Sequence, residues 1–431
     1  MKKLMLVFLL TAQSFNVVFA QAYKTNPPKL PLSPQTNESG MSEERLSRID
    51  KTVQEYINKK WLNGAVAIIY KNGKLAYYKA FGYDDVEKKI AMGKDAIFRI
   101  ASQTKALTSV SIMILYEEGK LLLDDPVSKY IPEFSKQQVL DKFNDKDTTF
   151  TTVAAKREVT IRDLLTHTSG IGYAGIGTPE MNAIYAKNSI PSGLGAIDAS
   201  LLDKMKTLGK LPLDFQPGDK WMYGLNTDLL GCLVEVISGM SLENFIRKNI
   251  CEPLEMSDTW FNLPREKARR LATVYTEDYL QHIIKWDANH FGIDPDYPLI
   301  NKHYFSGGAG LSSTAYDYAV FLQMLLNGGI YNGHRILSQR SVEMMTSGQL
   351  NFMFNGTDNF GLGFEIVTEK GAAKGPWSQG SFSWGGFFGT SYWADPKEKL
   401  VCLFMTQQTP NSHGDIGEKF KALVYQAIGG Q

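Results

Sequence analysis

The sequence has few cysteines and none of the spacings in which cysteines bind a metal. Its 431 residues include only Cys232, Cys251 and Cys402, with no Cys-x-x-Cys pair. An odd number of cysteines without that spacing argues against a structural zinc site. Cys232 and Cys402 lie in apolar stretches, DLLGCLVEVI and LVCLFM, so we expect buried thiols instead of a disulfide.

The chain also lacks an excess of either charge. Its net charge is +1, and removal of an N-terminal segment containing Lys2 and Lys3 would leave −1. A chain this close to neutrality gives no indication of binding to nucleic acid or to a lipid surface. Apolar residues make up 43% and charged residues 21%, as is usual for a globular protein, and the length allows one large domain or two moderate ones.

Several catalytic motifs are absent as well. No Gly-x-Ser-x-Gly occurs, which excludes the nucleophile turn of α/β-hydrolases. The six histidines never stand in a metal-ligand spacing, so we expect neither a metal nor a cofactor, and His167 is predicted to form structural hydrogen bonds. Residues 170–175 match Gly-x-Gly-x-x-Gly, but they follow a helix-like stretch and open no helix, so they predict no nucleotide site.

The N-terminus has the features of an export signal. MKKLMLVFLLTAQSFNVVFA begins with lysines, continues with an apolar run and ends in small residues, which predicts a signal peptide over residues 1–20. Gln13, Ser14 and Asn16 interrupt the apolar run, so we expect no transmembrane anchor. No cysteine follows the run before Cys232, so we expect no lipid-modified N-terminal cysteine either. The predicted location is periplasmic or extracellular.

Residues 21–40 contain four prolines and predict an extended linker, and residues 41–431 then form the folded domain. Both ends of this domain combine a helix with a hairpin. After Ser42, apolar residues recur at helical spacing, and Asn72-Gly73 predicts a two-residue turn between β-rich runs. A second hairpin is predicted to turn at Asp395-Pro396, before a final amphipathic helix. The two helical faces comprise Leu46, Ile49, Val53 and Ile57, and Ile416, Phe420, Leu423, Val424 and Ile428.

Between the ends, residues 102 to 350 are predicted to be mostly helical. The expected fold class is α+β: an antiparallel sheet built from both chain ends, flanked by helices, with a large helical subdomain. No internal repeat is present, and the sequence carries no feature that indicates an oligomeric state.

One tetrapeptide has a possible catalytic use. Ser102-Gln103-Thr104-Lys105 is the single Ser-x-x-Lys in the chain, and it opens an apolar, helix-like stretch. Residues three apart share a helix face, so Lys105 can reach the Ser102 hydroxyl. Burial and the positive potential of a helix start both disfavour an ammonium, and a neutral amine beside a serine can accept its proton. The alternative is a capping serine beside a lysine that reaches solvent.

Longer segments decide between these alternatives. Five segments follow the Ser-x-x-Lys along the chain. In order, they are YEEGKLLLDDPVSKYIPEF, VTIRDLLTHTSGI, FQPGDKWMYGLNTDLLGCLVEVISG, GGAGLSSTAYDYAVFLQMLLNGG and SWGGFFGTSYWADPKEKLVCLFMTQ. Over roughly residues 42–430 the chain resembles serine hydrolases related to class C β-lactamases, DD-peptidases and penicillin-binding proteins, including their esterase branch. The resemblance implies a β-lactamase/transpeptidase-like fold.

The resemblance also implies roles for particular residues. Ser102 would be the acylated nucleophile, Lys105 its base, and Tyr223 a tyrosine that shares the proton transfer. The strand motif falls on Trp384, Gly385 and Gly386, expected to bind substrate, and the N–H groups of Ser102 and Phe387 would form the oxyanion hole.

Two positions depart from the β-lactamase pattern. Leu225 stands where Tyr-x-Asn has its asparagine, with Asn226 one residue later, and Trp384 replaces the lysine of Lys-Thr-Gly. Leu225 and Asn226 are nevertheless expected to line the substrate site. The asparagine amide and the lysine cation of that pattern are suited to bind the amide and the carboxylate of a β-lactam. Because this chain has neither group at those positions, the two replacements favour an esterase.

We therefore expect an exported serine hydrolase that cleaves small-molecule carboxylic esters through an acyl-enzyme on Ser102. Three alternatives use the same residues: a D-amino-acid peptidase or amidase, a weak β-lactamase, and an acyltransferase. A non-catalytic binding domain is a fourth, disfavoured because Ser102, Lys105 and Tyr223 are all present.

Overall fold

The computed structural model describes residues 29–287 and 290–429. The predicted signal peptide lies outside these residues. The described strands are β1 Gly64–Lys71, β2 Lys74–Asp85, β3 Ile90–Ala91, β4 Phe98–Arg99, β5 Gln138–Asn144, β6 Thr149–Ala154, β7 Tyr275–Glu277, β8 Ile283–Lys285, β9 Ser312–Ser313, β10 Ile330–Tyr331, β11 His334–Arg335, β12 Asn359–Phe360, β13 Glu365–Ile366, β14 Phe382–Gly386, β15 Thr390–Asp395 and β16 Leu400–Met405.

The described α-helices are α1 Thr36–Ser39, α2 Glu43–Asn58, α3 Thr104–Glu117, α4 Ile161–Leu165, α5 Pro179–Lys187, α6 Leu201–Gly209, α7 Asn226–Ser238, α8 Leu242–Ile246, α9 Ala315–Leu326, α10 Gln339–Met345, α11 Glu369–Ala372 and α12 Ile416–Tyr425. A 3₁₀ turn, Ala101–Gln103, leads directly into α3.

The main sheet joins the two chain ends, as predicted. Eight strands pair antiparallel in the order β12-β13-β14-β15-β16-β1-β2-β3, and the pairing of β16 with β1 joins the C-terminal strands to the N-terminal ones. The β1–β2 hairpin turns at Asn72 and Gly73, whose φ angles of 55° and 71° suit the residue types there. Strands β15 and β16 form the second predicted hairpin.

Helices α2 and α12 cover one face of this sheet. Ser42 caps α2 by accepting a hydrogen bond from the Arg45 N–H, and the Leu46, Ile49 and Val53 side chains point into the core. Phe420 and Val424 of α12 belong to the same buried cluster. The opposite face packs against α9 and the helical subdomain, in which α3 lies against α7. The predicted α+β fold is therefore confirmed.

Two parts of the chain differ from the sequence-based expectation. The segment predicted to be mostly helical also contains the β5–β6 hairpin, whose second strand is exposed along its whole length. Because the residues of β6 face solvent on both sides, they carry no apolar alternation that would predict a strand. Long loops also connect the helices of this subdomain.

The second half of the predicted linker lies against the domain. Leu30 is buried, its N–H donates to the Tyr331 hydroxyl at 2.7 Å, and the Pro31 carbonyl accepts from the Tyr70 hydroxyl at 2.7 Å. Helix α1 follows within the same segment. Proline lacks a backbone N–H, but its carbonyl oxygen and its ring can still contact other residues. The proline-rich composition of this segment is therefore compatible with packing against the domain.

The three cysteines are buried and free, as expected. Among the residues described, no single helix is long and apolar enough to cross a membrane. One pair bent by 80°, Asn226–Ser238 with Leu242–Cys251, reaches the length and composition of a span.

Candidate active site

The Ser102 side chain stands at the entrance of α3 without capping it. Ser102 lies in the 3₁₀ turn before α3, and neither the turn nor the helix has a side-chain cap. The preceding Ala101 has a φ of 41°, a region that residues with a Cβ rarely adopt. Such strain persists where tertiary contacts hold it, often at functional sites. Here the Ser102 hydroxyl remains available to the cleft.

Lys105, one turn along, is buried and points back toward Ser102. Its Nζ lies 3.3 Å from Ser102 Oγ, 3.0 Å from the Tyr173 hydroxyl and 2.8 Å from the Gly308 carbonyl oxygen. Three acceptors match the three hydrogens of an ammonium. If the ammonium loses one proton, only the two hydroxyls can donate to the lone pair, because a carbonyl cannot.

Tyr223 completes a short chain of polar atoms. Its hydroxyl lies 2.6 Å from Ser102 Oγ, and the centre of its ring lies 4.5 Å from Lys105 Nζ. The Trp384 indole N–H donates to the Tyr223 hydroxyl at 3.4 Å. The structure therefore brings Ser102, Lys105, Tyr223 and Trp384 together, although they come from three distant parts of the sequence.

The sequence analysis missed Tyr173. This tyrosine lies in the loop between α4 and α5, is buried, and accepts a hydrogen bond from Lys105. Burial raises the pKa of its hydroxyl well above the usual value, so the side chain is neutral near neutral pH. The one feature of the sequence that could have indicated Tyr173 is its position just after VTIRDLLTHTSGI. No pattern of neighbouring residues predicts its contact with Lys105.

Strand β14 brings its glycines close to the turn that carries Ser102. A Cβ on Gly386 would lie 2.4 Å from the Ile100 carbonyl oxygen, so this approach requires glycine. Gly385, Gly386 and Phe387 all line the cleft beside Ser102. The oxyanion hole assigned to the N–H groups of Ser102 and Phe387 stays a prediction.

These groups share a cleft of about 1090 Å³. Its lining includes Ser102, Tyr173, Tyr223 and Trp384. Apolar side chains stand at its mouth, namely Ile176, Phe291 and Phe387, with exposed fractions of 71%, 71% and 42%. We call these three the apolar rim.

Leu225 and Asn226 do not line the cleft, which corrects the expectation that they bind substrate. Both are completely buried. The Asn226 amide donates to the Ile171 carbonyl and contacts His167 Nδ1 at 2.9 Å. Both residues lie where α7 begins, and the start of this helix turns their side chains into the protein interior. His167 is thus a structural partner, and burial holds its pKa well below the usual value.

In this arrangement an amine and a phenol, and not a histidine, are placed to take the proton of a serine hydroxyl. Ser102 Oγ is the one nucleophile in the set, with an amine and a phenol in contact with it. This pattern of a nucleophile with adjacent proton acceptors is suited to acyl transfer.

Known proteins are similar to this chain over most of its length. The family model described as Beta-lactamase matches residues 49–426. Protein Rv1367c of Mycobacterium tuberculosis is 34% identical over 373 residues, covering 84% of this chain and 89% of that protein. Esterase EstB of Burkholderia gladioli is 29% identical over 380 residues, covering 84% and 90%.

A solved structure agrees with the fold. It is described as "EstCE1, a hydrolase with promiscuous acyltransferase activity", and it superposes with a TM-score of 0.76 at 24% identity, covering 89% of this chain and 99% of that one. The family match extends over most of the chain and includes every residue of the cleft that contacts Ser102. The protein therefore belongs to the beta-lactamase family and is a serine hydrolase.

Proposed function

We propose that this hydrolase cleaves carboxylic esters through an acyl-enzyme on Ser102. The observation that carries the proposal is the position of Ser102 Oγ, 3.3 Å from Lys105 Nζ and 2.6 Å from the Tyr223 hydroxyl. Similarity to an esterase, EstB, over most of the chain supports the same activity.

The reaction proceeds in two acyl transfers. Ser102 Oγ attacks the ester carbonyl carbon while its proton passes to Lys105, directly or through Tyr223. The oxyanion that forms is stabilised by the backbone N–H groups of Ser102 and Phe387. Collapse breaks the bond to the alcohol, which leaves with a proton from the same pair. Water then repeats the sequence on the acyl-enzyme and releases the acid.

Trp384 favours an ester over a β-lactam. A lysine at this position would form a charge-assisted contact with the carboxylate of a cephalosporin, worth about 1.5–3 kcal/mol. Trp384 instead directs its indole N–H to Tyr223 and packs against the Tyr223 and Phe360 rings. A neutral ester needs only the nucleophile and the oxyanion hole.

A substrate comparison tests this proposal. We expect kcat/KM for p-nitrophenyl butyrate to exceed that for nitrocefin by at least about 100-fold, or about 2.7 kcal/mol. A fluorophosphonate should add one adduct at Ser102, and the Ser102→Ala variant should add none. If nitrocefin is the better substrate, the protein is a β-lactamase; if Ser102→Ala is still labelled, the mechanism is wrong.

We further propose that the protein is exported and matures by cleavage after Ala20. The composition of residues 1–20 supports this proposal. N-terminal sequencing of the secreted or periplasmic fraction should start at Gln21, and an intact Met1 there would contradict it.

A further inference from the structure

A second charged group lies buried beneath the Ser102 site and has no part in the mechanism above. Asp228 stands in the first turn of α7, two residues after Asn226, and is completely inaccessible to solvent. Among the described residues, no donor makes a well-formed hydrogen bond to either of its carboxylate oxygens, although the Ser306 and Tyr304 hydroxyls and the Gly308 N–H lie near enough to favour its ionised form. A buried carboxylate with such weak hydrogen bonds is costly, and a nearby cation would offset part of that cost.

Lys105 is a buried cation whose charge acts on Asp228. The point that a Cβ on Gly308 would occupy lies 2.8 Å from Asp228 Oδ2, 3.1 Å from the Tyr173 hydroxyl and 3.4 Å from Lys105 Nζ. The three groups therefore converge on the α-carbon of Gly308. Glycine at this position leaves no side chain between the carboxylate and the amine.

Lys105 needs such a partner as much as Asp228 does. Its three contacts are all to uncharged oxygen atoms, those of Ser102, Tyr173 and Gly308. A buried ammonium with only neutral acceptors pays a large desolvation cost, which a carboxylate within a few ångströms offsets.

We propose that Asp228 is the counter-charge of Lys105 and sets the pH range in which the lysine can accept the Ser102 proton. This inference rests on the proposed role of Lys105. Asp228 touches neither substrate nor Ser102, so it is a positioning residue that acts through Lys105.

The surroundings of Asp228 support its ionisation at working pH. Burial raises the pKa of its carboxyl to about 6, against the opposing effects of the Ser306 hydroxyl and the Lys105 cation. The other titratable groups facing this space are tyrosines 173, 223 and 304 and, beyond Lys105, His167. Burial raises the pKa of Tyr173 and Tyr304 far above neutrality and lowers that of His167. These three groups keep one protonation state near pH 7, whereas Asp228 becomes an anion above about pH 6.

The test measures how fast a fluorophosphonate labels Ser102 as a function of pH. In labelling, Ser102 Oγ forms a bond to phosphorus, fluoride leaves, and the serine proton passes to Lys105. The rate therefore rises with pH as the lysine loses its own proton. A carboxylate nearby stabilises the ammonium, so the Asp228→Asn variant should shift this rise to lower pH by about one to two units. At a pH where the labelling rate of the wild type is still rising, the variant should then be labelled at least tenfold faster than the wild type.

Two further variants make the result decisive. Asp317→Asn removes another buried carboxyl, one in α9 that does not line the cleft, and should leave the rise of the labelling rate within about 0.2 pH units of its wild-type position. Asp228→Ser, smaller and also neutral, should give the same shift as Asp228→Asn and replaces it if the asparagine variant does not fold.

The outcomes separate the inference from the proposed function. A shift toward lower pH in the Asp228 variants alone supports the inference. Uniformly lower rates with the rise unmoved would mean that Asp228 has only a structural role, which overturns it. If Ser102 of the wild type is not labelled at all, the proposed function itself fails.

Discussion

At the scale of single residues, the site depends on one unusual backbone angle and a few short contacts. Ala101, with its φ of 41°, precedes Ser102, whose hydroxyl caps neither the 3₁₀ turn nor α3. The side chain that would ordinarily satisfy the first N–H groups of α3 is thereby left for Lys105 and Tyr223. The lysine in the first turn, unfavourable for the helix, has its use in this contact.

Lys105 and Tyr223 are expected to act as one unit on the serine proton. Lys105→Met and Tyr223→Phe should each lower kcat for p-nitrophenyl butyrate by about 100-fold or more. The double variant should lose less than the product of the two single losses, because both residues serve the same proton. Steady-state kinetics of the four proteins measures this, and strictly multiplicative losses would show that the two residues act independently.

At the scale of elements, the start of α9 contains a buried carboxyl that does not line the cleft. Asp317 is buried in the first turn, accepts the Asp258 N–H at 2.7 Å and contacts the Thr259 hydroxyl at 3.1 Å. Burial raises the pKa of its carboxyl to about 7. The folded state therefore holds a proton on Asp317 between about pH 4 and pH 7 that the unfolded state has released.

This difference predicts how stability changes with pH. Because the folded state binds more protons in that window, the contribution of Asp317 to the free energy of unfolding falls as pH rises from about 4 to 7, and is constant above. The free energy of unfolding can be measured with urea at pH 5 and at pH 8. Between these two pH values it should fall less for Asp317→Asn than for the wild type, and the difference between the two falls should be about 1–3 kcal/mol. Equal falls in the two proteins would mean that Asp317 does not titrate in this range.

At the scale of the whole molecule, the mouth of the cleft is assembled from distant segments. Ile176, Phe291 and Phe387 come from the helical subdomain, from the chain before α9 and from the β14–β15 connection. Large apolar side chains so exposed beside a nucleophile offer surface to the acyl chain of a substrate.

The apolar rim predicts a dependence on acyl length. From p-nitrophenyl acetate to the hexanoate, kcat/KM of the wild type should rise, because each buried methylene contributes up to about 0.8 kcal/mol. Phe291→Ser should lower the value for the hexanoate about fivefold and leave the acetate within about twofold. Phe150→Ser alters an exposed aromatic side chain of β6 that does not line the cleft, and is the matched control. Equal losses for both esters in Phe291→Ser would exclude a role of the rim in chain binding.

Much of this architecture could be predicted from the sequence because its signals are local. The Asn72-Gly73 turn, the spacing of Leu46, Ile49 and Val53 after a capping Ser42, and the Ser-x-x-Lys tetrapeptide are properties of neighbouring residues, and each stands in the structure as the pattern indicates. The β5–β6 hairpin escaped this reasoning because β6 is exposed along its whole length, so no buried face imposes a pattern on that strand.

What the tertiary structure alone decided concerns residues that are far apart in the chain. Asn226 follows Tyr223 closely, yet the start of α7 directs it to His167 and away from the cleft. Tyr173, Asp228 and Lys105 come from separate segments, and all three lie around the point that a Cβ on Gly308 would occupy. Local propensity and apolar periodicity describe an element and its buried face. The neighbours of a buried polar atom depend on how several elements pack, and that arrangement is not encoded at any one position.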